Sequence, residues 1–108
     1  MNEAYRYLNL LEPDGTIRPV ANDDEARIAA SSANIRIGKD QAGGYEVSTV
    51  FLNVERHGGM WFETMLFGDG DQDGVGWRYA TKVEAVAGHA AIVDALNAGT
   101  NPNDAVQS

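Results

Sequence analysis

The chain has 108 residues, a formal net charge of −8 and no cysteine. This length accommodates one domain with a modest hydrophobic core, and a hydrophobic content of 44% is sufficient to build it. The lack of cysteine excludes disulfides and thiolate chemistry, and the acidic surface disfavours direct nucleic-acid binding, because carboxylates repel phosphates. There is no secretory signal and no stretch of membrane-spanning length, so we expect a soluble, cytoplasmic protein that binds no membrane.

The start of the chain predicts a β-hairpin. Residues 5–11 are rich in Tyr and Leu and favour a strand, and the Pro-Asp-Gly sequence that follows favours a tight turn. Residues 16–20 favour the returning strand. Since Pro19 has no N–H to donate to a neighbouring strand, this second strand is expected at a sheet edge.

A short helix and a short strand are predicted next. Asn22 or Asp23 can cap a helix that ends near residue 30 or 32, and the acidic residues at its start suit the positive end of the helix dipole. Residues 34–38 alternate as a strand does, and residues 39–44 are polar and glycine-containing, which indicates a loop.

The middle of the chain predicts an antiparallel meander of three strands. Residues 45–54 are mostly β-branched or aromatic and apolar on both faces, which indicates a central strand. Residues 60–67 and 75–80 form the next two strands, and the acidic, glycine-rich segment between them forms a hairpin loop.

The C-terminal helix has the clearest boundaries. Thr81 and Glu84 match a capping box, apolar residues then recur at helical spacing to about residue 97, and Gly99 is a suitable stop. Residues 99–108 are small and polar and are expected to form a flexible tail.

These elements predict an α+β fold. We expect an antiparallel sheet of about four to six strands, packed on one face by the C-terminal helix, with a short N-terminal helix beside it. Residues 1–98 would form one domain.

The loop at residues 69–74 matches the opening of a calcium-binding loop. Asp69, Asp71 and Asp73 alternate before Gly74, so their carboxylates could converge on a hard cation. However, the twelfth position is Ala80, where a calcium loop has a bidentate Glu, and the flanking segments favour strands rather than helices. A solvated hairpin turn is therefore the alternative to calcium binding, and no other cofactor is indicated.

Glu63 and His89 are the remaining candidates for chemistry. Glu63 lies within an apolar strand, where a carboxyl group can act as an acid or a base, or can simply pair with Arg78 or Thr49 on either side. His89 lies at the border of the apolar side of the C-terminal helix, a place more typical of a boundary residue than of a ligand. We assign no catalytic residue.

The second half of the chain resembles a group of small, uncharacterised bacteriophage and prophage proteins. The resemblance covers about residues 45–90 and departs from the group in the turn after Val54. It implies a phage origin and a bacterial host but no reaction. It rests on five segments in order: residues 47–52 (VSTVFL), 62–68 (FETMLFG), 77–81 (WRYAT), Glu84-Ala85 and Gly88-His89.

Acidity and phage origin together favour an accessory protein that binds a host protein with a basic surface. Anti-defence proteins, including anti-CRISPR proteins, are frequently small, acidic, cysteine-poor single domains. By this analogy the chain would act by occlusion, with its carboxylates facing a basic groove of the partner. The alternatives are a homo-oligomeric phage structural or assembly protein, paired through an exposed strand edge at residues 5–11 or 16–20, and a calcium-binding module that uses the loop from Asp69 to Gly74. The residues proposed to contact a partner are Asp23, Asp24, Glu25, Asp69, Asp71 and Asp73, with Trp61 and Trp77 as aromatic anchors.

Overall fold

The computed structural model describes residues 7–54 and 58–106. Among these residues no helix is long and apolar enough to cross a lipid bilayer. In chain order the elements are β1 (Asn9–Leu11), β2 (Ile17–Pro19), α1 (Asp23–Ala29), α2 (Ser32–Ile35), β3 (Arg36–Ala42), β4 (Tyr45–Phe51), β5 (Phe62–Gly68), β6 (Gly76–Tyr79), α3 (Lys82–Ala98) and α4 (Pro102–Ala105).

The predicted α+β fold is confirmed. Strands β3 to β6 form an antiparallel sheet in the order β3-β4-β5-β6, and β1 and β2 form a separate two-stranded sheet. Strand β4 is central, as its two apolar faces predict. The register places Thr49 of β4 opposite Thr64 of β5, and Glu63 of β5 opposite Arg78 of β6.

Alternation along the strands divides the large sheet into two unlike faces. The inner face is packed against α3 and is buried. Residues of the outer face are half-buried or exposed. On the central strands β4 and β5, the inner face comprises Val47, Thr49, Phe51, Phe62, Thr64 and Leu66, and the outer face comprises Glu46, Ser48, Val50, Glu63, Met65 and Phe67.

Helix α3 begins and ends where local sequence signals predict. The Thr81 hydroxyl accepts a hydrogen bond from the Glu84 backbone N–H at 3.2 Å and donates to the Glu84 carboxylate at 2.9 Å. Gly99 ends the helix in the left-handed conformation, with φ 73°, which glycine adopts without steric cost. The buried side of the helix presents Ala85, Ile92 and Leu96 to the sheet.

The hairpin and α1 form a smaller cluster beside the sheet. Leu10, Val20, Ala26 and Ala29 are buried together there. Asn53 joins this cluster to the chain leaving β4, because its side-chain amide donates to the Ala29 carbonyl at 3.1 Å. Pro19 is exposed on β2, which pairs with β1 alone among the described residues, so the predicted edge position is confirmed.

Two segments differ from the sequence-based prediction. Residues 32–35 are helical, and the strand that follows continues through residues 39–42, which we expected to form a loop. The polar residues Lys39, Asp40 and Gln41 misled the prediction. They are exposed on β3, which lies at the edge of the sheet, and charged side chains are common on edge strands.

The segment after Gly99 also differs from the expected tail. Pro102 is buried at the start of α4, and Val106 packs against both core clusters of the sheet. The polar composition of residues 99–108 indicated a tail, because it does not show that the two apolar side chains, Pro102 and Val106, pack against the rest of the fold. Part of the predicted first strand, residues 5–6, and part of the turn after Val54, residues 55–57, lie outside the described residues.

Candidate functional site

A chain of polar side chains runs through the core between the sheet and α3. The His89 side chain is 11% exposed, and its ring forms hydrogen bonds at both nitrogens. Its Nδ1 lies 2.7 Å from the Thr49 hydroxyl, and its Nε2 lies 2.6 Å from the Asp40 carboxylate on β3. This buried histidine therefore links the helix to two strands, which is a larger role than the boundary position we predicted.

This chain of polar side chains continues across the inner face of the sheet. The Thr49 and Thr64 hydroxyl oxygens are 2.5 Å apart, and the Tyr79 hydroxyl donates to Thr64 at 3.1 Å. Burial raises the pKa of the Tyr79 hydroxyl, an effect partly offset by its hydrogen bond to Thr64, so this group remains a donor over the ordinary pH range.

One set of donor directions satisfies every group in this polar chain. Tyr79 donates to Thr64, Thr64 donates to Thr49, and Thr49 donates to His89 Nδ1. The ring then carries its proton on Nε2 and donates it to the Asp40 carboxylate. A buried polar network that is completely satisfied adds rigidity to a core and disfavours other arrangements of the same elements.

Two glycines make this arrangement sterically possible. A Cβ atom on Gly88 would lie 2.4–2.6 Å from Tyr79 ring and hydroxyl atoms, so only glycine lets the tyrosine pass beneath α3. A Cβ on Gly38 would lie 3.0 Å from the His89 ring. The adjacent pair Gly88-His89 thus provides both the space for one end of the polar chain and one of its central members.

The order carboxylate, imidazole, hydroxyl along Asp40, His89 and Thr49 is also that of a hydrolytic triad. A nucleophile must be reached by its substrate, but Thr49 and Thr64 have no exposed surface. The hydroxyl groups of the network are therefore closed to a substrate in this conformation, although the Asp40 side chain is exposed, and the geometry fits a structural role. The sequence signals for it were a threonine on the inner face of each central strand and a histidine on the covering helix.

Glu63 lies on the opposite face of the sheet from His89. Its carboxylate accepts a hydrogen bond from Arg78 Nε at 3.1 Å, and its side chain is 19% exposed. Of the alternatives considered for Glu63, the structure therefore shows the ion pair with Arg78. Thr49 faces the inner side and is bound to Thr64 and His89 instead.

The acidic loop has the hydrogen bonds of a turn. Asp73 accepts from the Gly68 backbone N–H at 3.0 Å, and the Gln72 backbone N–H donates to the Tyr45 hydroxyl at 3.0 Å. Asp69 and Asp71 are exposed and have no ion pair within residues 7–54 and 58–106. In that same part of the chain, no group of three or more His, Asp or Glu side chains could hold a metal ion.

The second acidic segment, at the start of α1, is partly neutralised by basic residues. The Arg18 guanidinium donates to both oxygens of Glu25, at 2.8 and 2.7 Å, and also contacts Glu12. This pairing, together with the Ala21 backbone N–H, lowers the pKa of Glu25 to about 2. Asp24 pairs with Arg27 at 3.3 Å. Asp23, in the same first turn of α1, is exposed.

The two proposed aromatic anchors are half-buried. Trp61 stacks on Phe51 with 6.3 Å between ring centroids, and Trp77 packs against both core clusters. Each indole can offer a partner only part of its surface. The most exposed ring on the outer face is Phe67, which is 46% exposed and immediately precedes Gly68 and the acidic loop.

Comparison of the chain with protein-family models, with curated proteins and with solved structures gives no match.

Proposed function

We propose that this chain is a small, acidic, phage-encoded accessory protein that binds a basic surface of a host protein and blocks or redirects it. It would work in the bacterial cytoplasm as an anti-defence inhibitor of the anti-CRISPR type, by steric or charge-mimic occlusion. The proposal includes no catalytic residue and no cofactor.

The observation that supports it best is the unneutralised charge of the loop after β5. Asp69 and Asp71 are exposed and unpaired among the described residues, whereas four basic residues elsewhere are held in ion pairs. Exposed carboxylates that lack an internal counter-ion are available to a basic partner and raise the rate of encounter with it.

The position of Phe67 also supports the proposal that the acidic loop belongs to a binding surface. It lies on the outer face opposite Glu46, next to the acidic loop. Aromatic side chains contribute much of the affinity of protein interfaces, and charged residues around them supply specificity. The exposed ring and the neighbouring carboxylates together have the composition of a binding surface for a basic protein.

The test begins with capture of a partner from bacterial lysate, once with calcium and once with chelator. Affinity for the identified protein is then compared between the wild type and the variant D69K/D71K, which leaves the turn-forming Asp73 intact. The control D94K/N97K/A98K makes the same total charge change at exposed positions near the end of α3. We expect the loop variant to bind at least about tenfold more weakly and the control to bind within about threefold of wild type.

Three outcomes would contradict the proposal. They are equal losses in both variants, unchanged binding by the loop variant, or the absence of any captured protein in either buffer. Light scattering then tests the homo-oligomer alternative, which predicts a defined multimer without a partner.

A further inference from the structure

The edge formed by β6 is a second candidate for binding. Strand β6 pairs with β5 on one side and has no strand on the other among the described residues. Leu66 bonds to the Val75 carbonyl across the start of this pair. Because antiparallel bonds alternate, the backbone groups of Trp77 and Tyr79 also point toward β5.

The alternation leaves the backbone N–H and C=O groups of Gly76 and Arg78 pointing away from the sheet. The other edge strand, β3, bears the exposed polar side chains of residues 39–41, and charges on an edge disfavour pairing with another chain. Strand β6 has a single charged side chain, Arg78, which is paired with Glu63, and Gly76 has no side chain to shield its backbone. The β6 edge is therefore the more accessible place for an added strand.

A cavity lies on each side of this edge. On the α3 side a cavity of about 380 Å³ is lined by Trp77, Tyr79, Ala80, Glu84 and Val106. On the outer face a cavity of about 440 Å³ is lined by Glu63, Met65 and Gly74, and Met60, Gly76 and Arg78 line both cavities. An added strand would direct successive side chains alternately into these two cavities, which is how sheet-edge binding domains combine backbone affinity with side-chain specificity.

The charges around the edge indicate the sequence of its occupant. Glu84 borders the α3-side cavity, whose indole and valine surfaces suit an apolar side chain. The acidic loop with Asp69 and Asp71 directly precedes β6, and Arg78 is already held by Glu63. Apolar residues interspersed with Lys or Arg complement this pattern. A second copy of the same edge would instead bring two chains of net charge −8 together.

We infer that the free edge of β6 binds an extended peptide segment of alternating basic and apolar residues as an added antiparallel or parallel strand. This inference rests on the proposed function, because it identifies how a basic partner would be held.

The experiment uses the full chain and a fluorescent, capped ten-residue peptide of alternating Lys and Val, with a Glu-Val peptide of the same length as the charge control. The key comparison is R78P against R78A. Both variants lose the ion pair with Glu63, but only R78P loses the outward N–H at residue 78. We expect saturable binding of the Lys-Val peptide to R78A and binding about tenfold weaker, or lost, in R78P.

A second pair of variants keeps the inference testable if R78P does not fold. Ala80 is exposed and lines the α3-side cavity, so A80K should weaken binding of the Lys-Val peptide and A80E should strengthen it. Slower hydrogen exchange at the Gly76 and Arg78 amides in the complex would locate the peptide at the edge.

Three results would overturn the inference: equal binding by R78P and R78A, tighter binding of the Glu-Val peptide, or self-association that R78P abolishes. The proposed function fails separately. If a host partner no longer binds D69K/D71K but still binds R78P, only the inference about the β6 edge is wrong. If the peptide binds at the edge but no host partner is captured, only the proposed function is wrong.

Discussion

The same strands form the inner and outer faces of the four-stranded sheet, but the polar side chains on the two faces have different hydrogen-bonding arrangements. On the inner face, five polar side chains form one continuous hydrogen-bonded chain from Tyr79 to Asp40. On the outer face, polar groups form isolated pairs such as Glu63 with Arg78, beside the exposed Phe67. The comparison shows that the hydroxyl groups most suggestive of catalysis, those of Thr49 and Thr64, are the ones that a partner cannot reach, whereas Asp40 at the end of the polar chain is exposed.

The largest effect predicted by this comparison concerns two phenylalanines of β5. Phe62 is fully buried on the inner face, and Phe67 is 46% exposed on the outer face. We expect Phe62→Ala to lower the free energy of unfolding by about 3–5 kcal/mol and Phe67→Ala by about 0.5 kcal/mol or less. Urea denaturation measures both, and similar losses would contradict the division into two faces.

The polar chain should be sensitive to the loss of one member. Thr49→Val leaves His89 Nδ1 and the Thr64 hydroxyl without their partner, so we expect a loss of about 1–3 kcal/mol in the free energy of unfolding. Ser48→Ala, on the outer face of the same strand, should cost about 0.5 kcal/mol or less. A Thr49→Val protein as stable as wild type would show that the network contributes nothing.

Replacing Gly88 with alanine should destabilise the protein even though alanine has the higher helix propensity. Alanine is favoured over glycine in a helix by about 1 kcal/mol, but the added methyl would collide with Tyr79. We expect Gly88→Ala to destabilise the protein by about 1–3 kcal/mol. The reverse change at an exposed site of α3, Ala90→Gly, should cost about 1 kcal/mol. Thermal unfolding measures both changes, and stabilisation by Gly88→Ala would contradict the close contact.

The smallest effect concerns the outer ion pair. A double-mutant cycle with Glu63→Gln and Arg78→Ala should give a coupling free energy of about 1 kcal/mol or less, decreasing with salt, because the Arg78 side chain is 47% exposed. A much larger, salt-independent coupling would mean that this face is covered in the folded protein.

The sequence predicted the parts of the fold that depend on local signals. Thr81 with Glu84 and Gly99 marked the ends of α3, and the apolar character of both faces of residues 45–54 predicted the central position of β4. These features depend on chemistry within a few residues of each other. The polar strand β3 and the helix after Gly99 were missed, because their formation depends on neighbours distant in sequence.

The candidate site was harder to predict for the same reason. Asp40 and His89 are 49 positions apart, and Thr49 meets Thr64 only when the register of β4 and β5 is known. No spacing rule connects these residues. The pairing of Glu63 with Arg78 was among the predicted alternatives, because adjacent strands of a meander bring such positions together.

The most direct test of the account measures the affinity of the captured host protein for Thr49→Val and for D69K/D71K, each checked to be folded at the assay temperature. If the inner polar chain is structural and the acidic loop contacts the partner, Thr49→Val binds like the wild type and D69K/D71K binds at least about tenfold more weakly. Loss of binding in Thr49→Val with full binding by D69K/D71K would contradict the account.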